Sequence, residues 1–155
     1  MCTMVYVGST QPFGMGPPVE DGAVAPAPAK HVPQALRAMP HVAMLPDWHE
    51  GKPYCSCVFI EQSLPWEPVE EGPETSAAFK ALRRLAELHG ADLRIFAADD
   101  DQIDLAPNVH CRLAPEHIAA GMILFNVPFS GSQSPRVFVE IVPGLARPEK
   151  PETLD

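Results

Sequence analysis

The residues best suited to chemistry in this chain are its four thiols, Cys2, Cys55, Cys57 and Cys111. Cys55-Ser56-Cys57 lies in a run of β-formers, residues 54–61, and on a strand the two cysteines share a face with Phe59. Same-face neighbours are separated by roughly 6.6 Å along a strand, from a rise of about 3.3 Å per residue. Thiolate sulfurs that sit roughly 2.3 Å from a zinc ion can close such a gap by leaning together. A disulfide across one extended residue would instead have to distort the backbone. The pattern points to a bound metal, with zinc or another soft or borderline transition metal as the expected cofactor.

A Cys-x-Cys pair supplies only part of the ligand set of a zinc site. The further candidates are Cys2, from an N-terminal strand, and His49, from the turn that feeds the Cys55 strand. Cys111 and the adjacent His110 stand in reserve. Four protein ligands would make a structural site, whereas three leave a position for substrate and permit Lewis-acid chemistry. Other readings stay open beside this one. The same pair could serve a metal-free thiol redox protein, with His49 as a base. Free cysteines also fill cores as small apolar groups, the bland alternative for Cys111 above all. Without its initiator methionine the chain would start at Cys2, a thiol beside its own amine, as in N-terminal nucleophile enzymes.

The elements that must position these thiols follow from periodicity. Residues 3–7 alternate as a short strand ending at Gly8. Residues 9–30 carry so many prolines and glycines that a long irregular loop is expected, a possible contact surface for a protein partner. A short helix with Pro33 in its first turn precedes a strand over 41–45, which Pro46 cuts; 47–53 then reads as a turn. After a proline-rich acidic link over 65–73, Thr75 or Ser76 caps the main helix. Its stripe is Ala78, Phe79, Leu82, Leu85 and Ala86, and Gly90 stops it. A strand over 93–97, a helical turn opened by Pro115, and a hairpin of strands 122–129 and 137–142 complete the order. The expected fold is α+β (or α/β): a single domain over 1–146, a mixed sheet of four to six strands with one main helix, and a flexible tail over 147–155.

Charge and composition exclude several function classes. With 155 residues, 46% of them hydrophobic, one domain can build a core without cross-links. The formal charge of −9 opposes nucleic acid and anionic lipid as partners. No run is apolar enough to span a membrane, and the first seven residues are too short for a signal segment, so a reducing cytoplasm is the expected setting. In that setting thiols act as ligands, reactive groups or packing more readily than as a disulfide framework. Neither a Walker loop nor a dinucleotide fingerprint occurs, so no nucleotide cofactor is expected. The acidic group Asp99, Asp100, Asp101 and Asp104 fails the calcium-loop spacing and reads as a solvated turn. Trp48 and Trp66 read as aromatics that pack loops onto the sheet.

Taken together, the Met1-Cys2-x-x-Val5-Tyr6 opening, His41-Val42, His49-Glu50-Gly51, Cys55-x-Cys57-x-Phe59 and Leu113-Ala114-Pro115-Glu116 resemble a group of small uncharacterised bacterial proteins. The resemblance runs from Cys2 to about Val142, outside the proline-rich loop, and implies no activity. Those proteins often place glycines around the two cysteines, where this chain has Ser56 and Val58.

Overall fold

In a computed structural model that describes residues 2–19, 23–61, 77–118, 134–149 and 152–153, β1 (Thr3–Ser9) is followed, among the described residues, by eight further strands and two α-helices. They are β2 (Ala27–Pro28), β3 (His41–Met44), β4 (Trp48–His49), β5 (Lys52–Pro53), α1 (Val58–Glu61), α2 (Ala77–His89), β6 (Arg94–Asp99), β7 (Val109–Leu113), β8 (Val137–Ile141) and β9 (Glu152–Thr153). Seven of the strands make one sheet in the order β2-β3-β1-β6-β8-β7-β9. Every neighbouring pair in it is antiparallel except β7 and β8, which run parallel, so the sheet is mixed. The outermost strands, β2 and β9, are two-residue pieces. A mixed sheet with one main helix is the α+β arrangement that the sequence predicts.

Two apolar layers hold this sheet. Alternation in β1 sends Val5 and Val7 to one face, where they join Ile95, Val139, Cys111 and the buried α2 stripe Ala78, Phe79, Leu82 and Ala86. Tyr6, with Phe96 and Ala98, points to the other face and packs on Leu36. Leu36 belongs to a 3-10 turn, Gln34–Leu36, that replaces the short helix expected after Pro33. Each fully buried Phe or Leu in these layers contributes about 1.5–3 kcal/mol.

The proline-rich loop is less irregular than its composition predicts. Phe13, Ala23 and Val24 are buried, and β2 continues the sheet edge beside β3. Pro28 is tolerated there because an edge strand can spare an N–H donor. Ser9, fully buried, sits 2.8 Å from His89 Nδ1 through its Oγ, and Phe13 packs on the His89 ring at 4.7 Å. This contact fastens the end of α2 to the end of β1.

Three expectations are corrected. The strand predicted over 54–61 does not form: residues 54–57 make a turn that leads into α1. Val58 and Phe59 are strong β-formers, but β-propensity yields to burial, and both side chains enter the α2-side core. Strand β7, unpredicted, alternates buried Val109, Cys111 and Leu113 with the polar His110 and Arg112. β8 pairs with β6 on one edge and β7 on the other. Toward the C-terminus, Glu152 pairs with His110 and Arg112 Nη1 donates to Glu149 Oε1 at 2.8 Å, which ties part of the 147–155 segment to β7. The helix cap at Thr75 or Ser76, the 65–73 link, Trp66 and the 122–129 strand lie outside the described residues.

Candidate metal centre

Pro46 decides where the thiol site forms. β3 runs beside β1 from Ser9 to Tyr6, and Leu45 N donates to Val5 O at 2.8 Å, after which proline ends the ladder. The Thr3 C=O and the Val5 N–H would be left without a β3 partner along this edge. The chain then makes a two-residue hairpin, β4 and β5, whose loop residues Glu50 and Gly51 both have positive φ, 51° and 75°. This is the twist a tight hairpin requires, and it turns the chain back toward β1. Below the hairpin, Asp47 N donates to Cys55 O and Tyr54 N to Asp47 O, each at 2.8 Å.

Ser56 then fills the gap that Pro46 leaves. Its N–H donates to Thr3 O at 2.9 Å, its Oγ accepts from Val5 N at 2.9 Å, and the same hydroxyl donates to Leu45 O at 2.6 Å. Ser56 is fully buried, so these bonds satisfy groups that water cannot reach. With Ser56 turned inward, the cysteines on either side are directed to the end of β1, where Cys2 lies. The sequence offered one signal for this residue: a small hydroxyl between two cysteines.

The sulfurs of Cys2, Cys55 and Cys57 all lie within 4.8 Å of one another, and all three residues are half-buried. Cys55 and Cys57 share a hydrogen bond between their sulfurs at 3.3 Å. Two zinc-bound thiolates in a tetrahedron sit about 3.8 Å apart, given zinc–sulfur bonds near 2.3 Å, so this spacing brackets what one ion would set. Cys2 is itself held by the strand beyond it, since Asp100 N donates to Cys2 O at 2.9 Å. That contact brings the Asp99–Asp101 turn alongside the cluster.

The three thiols do not ionise alike. Burial opposes ionisation of Cys55, but the Cys57 N–H and the thiols of Cys57 and Cys2 outweigh it and hold Cys55 below the ordinary thiol range. The hydrogen bond to Cys55, with the charges of both partner cysteines, pushes Cys2 up to about 11. Burial and the bond to Cys55 raise Cys57, offset in part by the Thr3 N–H. One negative charge is thus accommodated, and the second and third are resisted by the first. A cation between the sulfurs would remove that repulsion, which is the sense in which the donor set fits a metal.

The other predicted ligands lie elsewhere. His49, exposed at the hairpin, places Nε2 2.9 Å from Asp47 Oδ2 and its ring against Tyr54 at 5.3 Å. Cys111 is buried on β7, three strands from β1, about 14 Å at a strand spacing near 4.8 Å. Burial alone pushes its thiol up to about 11. His110, its neighbour, has Nε2 3.3 Å from Glu140 Oε1 and its ring 5.5 Å from Phe138. Among the described residues, no fourth cysteine, histidine or carboxylate joins the three sulfurs at that range. No family model matches the chain, and no curated protein or solved structure matches it either.

Proposed function

We propose that this protein binds one transition-metal ion, zinc first among the candidates, through the thiolates of Cys2, Cys55 and Cys57. The observation that carries the reading is the convergence of three sulfurs, from segments more than fifty residues apart, within 4.8 Å of one another. Soft sulfur donors favour zinc or copper(I) over calcium or magnesium. Backbone N–H groups directed at Cys55 and Cys57 supply the outer contacts that orient thiolate ligands. With three protein ligands, a remaining coordination position would be available to an exogenous group. No helix among the described residues is long and apolar enough to cross a membrane, and a reducing cytoplasm would keep such thiols free to bind.

The test is metal titration of the reduced protein. One equivalent of zinc should bind and release protons, and the affinity should weaken as pH falls because protons compete for the sulfurs. Cobalt(II) in its place should give the intense near-ultraviolet band of sulfur-to-metal charge transfer. Substoichiometric binding, with all three thiols still freely titratable in the presence of zinc, overturns the proposal.

A further inference from the structure

We propose that Cys55 and Cys57 close into a reversible disulfide on exposure to a hydroperoxide, and that this closure releases the metal ion; the release rests on the metal-binding reading above. On an extended strand the bridge would be blocked by the backbone, but this segment is a turn and its sulfurs are already 3.3 Å apart. A disulfide needs about 2.05 Å, a distance that small side-chain rotations can reach. Ser56, between them, is pinned by hydrogen bonds to Thr3, Val5 and Leu45. The backbone can therefore stay in place while the two side chains swing together. Cys55 and Cys57 are only half-buried, within reach of a small oxidant, whereas Cys111 is 3% exposed and is not.

The chemistry balances with the hydroperoxide as sole oxidant. The thiolate of one cysteine attacks the terminal peroxide oxygen; the S–O bond forms, the O–O bond breaks, and the alkoxide or hydroxide that leaves takes a proton. The second thiolate then attacks the sulfenic sulfur, forming S–S and expelling hydroxide, which is protonated to water. Two thiols are oxidised by two electrons in total and one peroxide is reduced. Cys2, left as a lone sulfur, cannot hold the ion against solvent, because two of its three protein ligands are gone.

The experiment treats zinc-loaded, full-length protein with hydrogen peroxide in the presence of a chromophoric chelator, followed by alkylation and peptide mapping. One zinc should be released per chain, the mass should fall by the two hydrogens of a single bridge, and the bridge should join Cys55 to Cys57. Dithiothreitol should restore zinc binding. A metal-free Cys2→Ser variant keeps the pair and should still form the bridge, with Cys111 unmodified. Zinc retained after peroxide, oxidation that ends as sulfinic acid on one cysteine, or a bridge through Cys2 or Cys111 each overturns the inference while leaving metal binding intact. A chain that takes up no zinc yet forms the bridge overturns the metal reading and the release together, and leaves the disulfide standing.

Discussion

The two ends of β1 are each closed by a fully buried serine, and the comparison between them separates a reactive site from a fastening. At one end Ser56 bonds only to backbone, and the cysteines on either side of it are half-buried rather than enclosed. At the other, Ser9 contacts the His89 ring, which Phe13 covers and which is 6% exposed. Both are satisfied polar hubs of the kind that fixes a unique arrangement. Only the first leaves ionisable groups that a solute can reach. The same contrast holds between cysteines: Cys55 ionises more easily than an ordinary thiol, and buried Cys111 far less.

The largest effect should come from the thiols themselves. Cys55→Ala removes a ligand and should weaken zinc binding by more than about 100-fold, beyond the 10–100-fold usual for an orienting partner. Competition titration against a calibrated chelator reads this, and a loss below tenfold would break the distinction between the two ends. Ser56→Ala strips Val5 N–H and Leu45 C=O of their partner. Denaturant unfolding should show a loss of about 1–3 kcal/mol, with zinc affinity falling on the order of 10–100-fold as the turn loosens.

Ser9→Ala should cost about 1–2 kcal/mol by the same unfolding measurement, through the unpaired His89 nitrogen, and leave zinc affinity unchanged. A matching loss of affinity would mean that the ends of β1 are coupled. Acid supplies a finer test. Burial lowers the His89 pKa in the folded protein, so below about 6.5 the unfolded chain takes up a proton that the folded one refuses. Stability should be complete at neutral pH and decline as pH falls below that value toward the folded-state pKa, a dependence that His89→Gln lacks. Smallest in energy but most direct is alkylation. Under metal-free native conditions, iodoacetamide should modify Cys55 at lower pH than any other cysteine and Cys111 last, as read by mass spectrometry.

Much of the scaffold was legible because its signals are local. The α2 stripe, the alternation in β1 and the apolar runs that became β6 and β8 each carry their period in consecutive residues. Residue type was enough to bring forward Cys2, Cys55 and Cys57. Their local geometry was not, because Val58 and Phe59 read as strand until α2 and the sheet supply a core for them. Strand β7 escaped for a related reason: His110 and Arg112 interrupt its apolar residues, and only the neighbours β8 and β9 reveal which positions face inward. His49 shared the cysteines' neighbourhood along the chain, but its hairpin turns the imidazole to Asp47.

By itself, then, the sequence determined the periodic elements, the acidic character and the identity of the thiols, since each is a property of residue types at short range. Tertiary structure decided that Pro46 ends one ladder and Ser56 completes it, and that three sulfurs meet at the end of β1. Those outcomes depend on unpaired backbone groups of one segment finding donors and acceptors in another, a requirement that exists only once the strands are assembled.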